Sequence, residues 1–444
     1  MQRVGATLGH LARRSSARLS GSRDATPARV RLFASALAVT ATVGFGVLSY
    51  AFGVLLVPMV EELGWTNAMV SAGMSTGLLV SGLSAPLVGR TIDLHGARRV
   101  MLLGTVLGGI GLSLWSVART LPTYFAAWVV IGVAMAMVLY EPAFAAVARH
   151  APGRQRAAVL SITLLGGLAS TIFIPITELL LGWLGWRGAL VVLALLLVTL
   201  CAPLILIGVP RRGEVIAGVA ATPAPPGPAD VAPAAPARSD GPATDPTGPI
   251  SLLHSSALRR LTAAMVLSRL ATVGVAAHLV AFLIISGRPS AVAAGIASAV
   301  GVAKTFGRLA IGYAARRWTA RTLLLVSLGA ASIGLAAPLV STNLAGDVVL
   351  VVAFGAGAGA VTVLRPLYMV DLFGFGGYGT TSGRMARVLR FSEAVAPIAI
   401  GGIVTLTGSS APAWALLAVS SLLAVPILPR PQGVRSHGAV PERE

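Results

Sequence analysis

Nine ionisable side chains fall inside long apolar stretches of this chain: Glu141, Glu178, Arg269, His278, Lys304, Arg308, Arg365, Arg390 and Glu393. In hydrocarbon each is costly unless it is paired or faces a wet cavity, so their positions point to chemistry. Lys304 is the only lysine and stands four residues before Arg308, which puts both cations on one helix face. Like charges stacked in low dielectric repel unless an anion or carboxylate sits between them, so this pair reads as an anion-binding signal. The alternative is that Arg308 snorkels to the nearby interface and only Lys304 requires a partner. Arg365 joins the two as a candidate substrate contact.

The carboxylates suggest proton exchange. Glu141 is the deep ionisable residue of the first half, and a carboxylate held out of water is suited to carry a proton. Glu141-Pro142 and Arg365-Pro366 recur at an offset of 224 residues, so they occupy matching places with opposite charge. Either they form a gate that opens on protonation, or each stabilises its own half while its proline kinks a helix. His278 could titrate near neutrality in a relay, or it could be a hydrogen-bonded packing residue. Arg390 and Glu393, three apart, can neutralise one another locally, Arg269 can snorkel, and Glu178 suits an interfacial pair with Arg187.

These residues need membrane helices to hold them. Hydrophobic residues make up 55% of the 444 positions and charged ones only 11%, with mean hydropathy +0.83, more apolar surface than a soluble core could hide. Twelve runs are long enough to span a bilayer as helices: 32–60, 67–89, 99–118, 123–148, 158–183, 188–208, 261–286, 291–313, 322–341, 347–370, 386–407 and 411–429. The expected organisation is a basic cytoplasmic tail (1–30), a six-helix half (31–209), a Pro/Ala-rich linker (210–256), a second six-helix half (257–430) and a C-terminal tail (431–444). The linker composition cannot bury enough apolar surface to order itself. The formal charge of +19 would suggest nucleic acid in a soluble protein, but these arginines sit in short loops and read as topology signals and lipid contacts. Counting them puts both termini in the cytoplasm, with Trp65, Trp183 and Trp186 near external helix ends. Cys201 is the only cysteine, so no disulfide or cysteine metal site can form within the chain.

Between the second and third runs lies GRTIDLHGARR, with Gly89 and Gly96 for a tight turn, Asp93 to cap or pair, and Arg98 marking the cytoplasmic side. A degenerate copy, GYAARRWTARTLLL, starts 223 residues later at Gly312 and has Arg316 where the first has Asp93.

The segments SYAFGVLLVPMVEELGWTNAMVSAG, GRTIDLHGARR and LYEPAFAAVARH resemble the major facilitator superfamily, in particular bacterial relatives of the monocarboxylate transporter and oxalate/formate exchanger groups. The resemblance covers nearly all of residues 31–430. It implies an all-α membrane fold of twelve transmembrane helices in two pseudo-symmetric halves, helices 1, 4, 7 and 10 around a central cavity, and transport by alternating access. It also implies that a helix 8 arginine in an R-x-x-x-G context engages a substrate carboxylate, which Arg308 with Gly312 fits. Members of those groups tend to place a proton-coupling carboxylate near that arginine. Here Lys304 stands there instead, which moves the expected coupling to Glu141.

The chain has no H-E-x-x-H, G-x-S-x-G or phosphate-loop motif, so no enzyme, metal or cofactor is expected, and transport would run on a gradient or by exchange. The expected activity is secondary transport of a small carboxylate, alone or with protons, by a monomer in the inner membrane without nucleic-acid partners. An exporter of amphipathic or toxic compounds and a transporter-like nutrient sensor are the alternatives.

Overall fold

The computed structural model describes residues 27–151, 155–212, 214, 255–341, 343–373 and 378–430. Much of the expected linker (215–254) and of both expected tails (1–26 and 431–444) lies outside them. Regular structure among the described residues is helical and forms twelve helices. In the first half, α1 covers 27–63 and contains a π-helical turn, Gly46–Tyr50. It is followed by α2 (Asn67–His95), α3 (Ala97–Ser116) and α4 (121–150), which is interrupted at Leu139. Next, α5 covers 155–184 with a break after Gly166, and α6 covers 186–208 beyond a kink at Gly185. The second half comprises α7 (Ser256–Ile285), α8 (Ser290–Ala314) and α9 (Ala320–Val340). It continues with α10 (344–373, with a π-helical turn Leu350–Phe354), α11 (Tyr378–Thr407) and α12 (Ala411–Ile427).

Polar caps and glycines set the helix ends. Thr66, Thr319 and Asn343 accept backbone N–H groups at the starts of α2, α9 and α10, satisfying donors that a helix leaves open. Helices turn at Gly64, Gly96, Gly185, Gly287 and Gly408, each with φ between 64° and 88°. Only glycine takes that conformation without a Cβ penalty. Gly64 pairs with Gly287, and Gly185 with Gly408, at the 223-residue offset of the loop repeat. The pseudo-symmetry is thus written into the turns.

Most of the twelve apolar runs match these helices to within about three residues. Four differ more: α1 and α7 begin five residues before the expected 32 and 261, at Pro27 and Ser256, α2 continues past 89 to His95, and α11 begins at Tyr378 rather than 386. Hydropathy marks where lipid ends, and a helix with charged residues can go on into water. This corrects the reading of GRTIDLHGARR as a two-glycine hairpin. Gly89 and Asp93 lie on α2, Gly96 alone (φ 84°) makes the turn, and Arg98 is in the first turn of α3.

The loop arginines also serve as caps. Arg149 and Arg212 donate to the carbonyls of Asp93 and Leu94 at the end of α2. Arg260 donates to those of Pro426 and Ile427, and Arg321 to that of Pro429, at the end of α12.

Each half is held as a unit. The first has an aromatic core of Phe52, Trp115, Tyr124 and Trp128, with the Tyr124 hydroxyl donating to Val70 O at 2.6 Å. In the second, Phe282 stacks on Trp414 with centroids 4.1 Å apart. Glu62 accepts from Trp186 Nε1 (2.6 Å) and Arg187 Nε (3.0 Å), and Arg187 also donates to Ser116 O and Ala118 O. Trp186 is therefore an internal ligand of Glu62 and not an interfacial anchor, and Arg187 pairs with Glu62 and not with Glu178. Arg288 and Asp347 form an ion-pair tie within the second half at 2.9 Å.

The halves meet where α1 packs on α7 and along two hydrogen-bonded seams that the pseudo-symmetry relates. In the α2–α11 seam Ala68 N donates to Thr405 Oγ1 (3.1 Å) and Ile398 N to Ser75 Oγ (3.0 Å). In the α5–α8 seam Ser298 Oγ donates to Thr171 O (2.8 Å) and Thr171 Oγ1 to Ser298 O (3.3 Å). Both seams lie on the side of the α1–α2 turn.

Candidate functional site

A cavity of about 400 Å³ lies between the halves, lined by α1, α2, α4, α5, α7, α8, α10 and α11. The expected helices 1, 4, 7 and 10 are among them, and the four seam helices complete the wall. The π-helical turn of α1 brings Ser49 and Tyr50 to its wall, and the restart of α4 at Tyr140 brings Tyr140 and Glu141. Its described lining includes five cations, Arg269, Lys304, Arg308, Arg365 and Arg390, and two carboxylates, Glu141 and Glu393.

The carboxylates belong to a chain of ion pairs. Glu141 of α4 pairs across the halves with Arg390 of α11, whose Nη1 lies 3.4 Å from Glu393 Oε2. Glu393 accepts in turn from Arg269 Nε at 2.8 Å. This alternation, Glu141–Arg390–Glu393–Arg269, sums to zero charge and gives each member an opposite neighbour. The repeat mate of Glu141, Arg365, lines the same cavity, but the partner the structure gives Glu141 is Arg390. Arg269 is a ligand of Glu393 and not a snorkelling residue.

Two cations of the lining that stand outside this chain of pairs, Lys304 and Arg308, lie on α8. Among the described residues no carboxylate pairs with Lys304 or Arg308. Lys304 is buried with Nζ 5.6 Å from the Phe354 ring centroid, a cation–π contact with the π-helical turn of α10. Arg308 Nη1 donates to Thr163 O (3.1 Å), and its Nε donates to Thr362 Oγ1 (3.3 Å). Those acceptors are neutral. They hold the guanidinium at the cavity, so Arg308 does not snorkel.

Arg308 can reach α5 because that helix breaks there. A Cβ on Gly167 would collide with Arg308 Nη1, and one on Gly166 with the Tyr140 hydroxyl. The glycine pair thus admits a cation from α8 and an aromatic from α4 at adjacent places. Tyr140 itself lies between Phe45 (centroids 4.5 Å) and Phe144 (5.3 Å, interplanar 4°), and all three line the cavity. The i, i+4 spacing of Tyr140 and Phe144 is legible in LYEPAF, but its use as a cavity wall is not.

His278 stands apart. It is buried between α7, α11 and α2, with Nε2 3.1 Å from Pro397 O and 3.4 Å from Ser71 Oγ. Gly89, Asp93, Gly96 and Arg98 lie at the α2–α3 turn, away from the cavity lining. Glu178 keeps one buried oxygen, Oε2, without a hydrogen-bond partner.

The Major Facilitator Superfamily model matches residues 37–386. Among curated proteins, the chain is 31% identical over 160 residues to "Monocarboxylate transporter 13" of Bos taurus, covering 36% of this chain and 37% of that one. It is 32% identical over 143 residues to "Monocarboxylate transporter 12" of Homo sapiens, covering 32% and 26%. The matches thus span roughly a third or less of those relatives' length. Among solved structures, a mutant of the nucleoside transporter NupG matches with TM-score 0.68 at 14% identity, over 89% of this chain and 98% of that one. A bacterial homolog of the human lysosomal transporter Spinster, inward-facing and occupied, matches with TM-score 0.64 at 14% identity, over 89% and 93%. At that identity the likeness concerns the fold.

Proposed function

The chain belongs to the Major Facilitator Superfamily, and on that premise we propose that it is a secondary transporter moving a small organic anion, monocarboxylate in kind, by alternating access. One observation carries this reading: Lys304 and Arg308 line the cavity without a carboxylate partner among the described residues, while the cavity's carboxylates and two arginines neutralise one another. A substrate carboxylate would offset one of these two positive charges. It offers Arg308 the bidentate pairing of guanidinium with carboxylate that its present neutral acceptors cannot. Arg365 supplies further positive potential. The names of the partial-length relatives point the same way.

Protons are the proposed coupling ion and Glu141 the group that carries them. Its partner Arg390 has Glu393 as a second carboxylate, so protonation of Glu141 leaves no arginine of the chain of pairs without a carboxylate and releases a tie between the halves. His278, held by Pro397 and Ser71, is a packing residue in this proposal. The transporter would sit in the inner membrane as a monomer with both termini cytoplasmic.

A thermal-shift screen of the purified full chain tests the anion reading. Small carboxylates at 100 times Kd should add about 2.7 kcal/mol of stability, and Arg308→Gln should abolish the gain. Stabilisation by organic cations or neutral compounds, unchanged in Arg308→Gln, would contradict it.

A further inference from the structure

The cavity has two unlike walls. On the first half, Phe45, Tyr140 and Phe144 form a ladder of partly exposed aromatic rings, in contrast to the fully buried Phe52, Trp115, Tyr124 and Trp128 of the same half's core. On the second half stand Lys304 and Arg308. The walls converge at α5, where the Tyr140 hydroxyl lies against Gly166 and the Arg308 guanidinium against Gly167. Consecutive Cα atoms are about 3.8 Å apart, so the ladder and the guanidinium end within one small molecule's length of each other.

From this juxtaposition we propose that the preferred substrate is an aromatic carboxylate, its ring stacked on the Phe45–Tyr140–Phe144 ladder and its carboxylate on Arg308. The inference rests on the anion reading above and adds the substrate's body to its head group. An aliphatic acid of two or three carbons would satisfy the guanidinium and leave the ladder facing water. A flat ring covers it, and stacked aromatic pairs contribute about 0.5–1.5 kcal/mol beyond area burial. The cavity volume, about 400 Å³, falls in the range of small-molecule sites. Because the ladder belongs to one half and the cations to the other, such a substrate bridges the two bodies whose relative motion would carry it.

Isothermal titration of the full-length protein in nanodiscs with benzoate, cyclohexanecarboxylate, propionate and benzamide tests the proposal. Benzoate is expected to bind about 3–10-fold more tightly than cyclohexanecarboxylate, which matches it in size but cannot stack. Phe144→Leu, and independently Phe45→Leu, should remove that preference and leave propionate unchanged; the ligand-free melting temperature of each variant reports whether it has folded. If cyclohexanecarboxylate or propionate binds as well as benzoate, or both variants keep the preference while folded, the aromatic substrate is wrong and the anion reading stands. If benzamide binds and no carboxylate does, the anion reading itself fails and takes this proposal with it.

Discussion

Arg308 and Arg390 both come from the second half, and each stands where a seam between the halves gives way to the cavity. A methyl on Gly82 of α2 would sit 3.6 Å from Arg390 Cβ, and Gly167 of α5 abuts Arg308. Their partners differ in charge: two carboxylates for Arg390, a carbonyl and a hydroxyl for Arg308. Hence Arg390 reads as a structural tie and Arg308 as the group that takes an anion. Burial sets what each carboxylate contributes. The Glu141 and Arg390 side chains are 48% and 45% exposed, so Glu141→Gln should cost at most about 1 kcal/mol of stability. The Glu393 side chain is 8% exposed and holds Arg269 and Arg390, so Glu393→Gln should cost about 3–5 kcal/mol. Denaturation of the two variants side by side checks the ranking. The i, i+3 relation of Arg390 and Glu393 was legible in the sequence, whereas the tie from Glu141, 249 residues away, depends on how two bodies dock.

Among the helices, α8 and α10 pack on small residues, and that packing fixes the site. A Cβ on Gly359 would overlap the backbone of Lys304, and one on Gly307 the backbone of Ala356. The GAGAGA run therefore brings α10 against the turn of α8 that carries the candidate cations, a use of glycine common between membrane helices. Gly359→Val should destabilise the protein by about 1–3 kcal/mol or more and weaken carboxylate binding, because it pushes Lys304 out of register. Gly329, with open space around its Cα, is the control: Gly329→Ala should leave binding intact and raise stability by up to about 1 kcal/mol through helix propensity. Melting curves with and without a carboxylate separate the two outcomes. The existence of these helices follows from hydropathy. The break at Leu139, which aims Glu141, is legible as the work of Pro142, whose ring denies the turn before it a hydrogen bond; the break at Gly167 is not, because what occupies the space beside it is Arg308 of another helix.

At the scale of the molecule, paired seams and within-half ties describe two bodies joined on one side of a cavity. In the proposed alternating access the seams part, so locking one should stop transport. In a Cys201→Ser background, Ala68→Cys with Thr405→Cys should cross-link across the α2–α11 seam and abolish flux until reduced, an outcome read by gel mobility and uptake together. The 223-residue offset shared by two pairs of turn glycines fits this arrangement, and the opposite charges of Glu141 and its repeat mate Arg365 both lie in the cavity. Uptake of a labelled carboxylate by proteoliposomes under an imposed proton gradient tests the central claim most directly. Wild type should accumulate the label only with the gradient, Arg308→Gln should bind and carry none, and Glu141→Gln should exchange label without accumulating it. Uptake in Arg308→Gln equal to wild type would contradict the account.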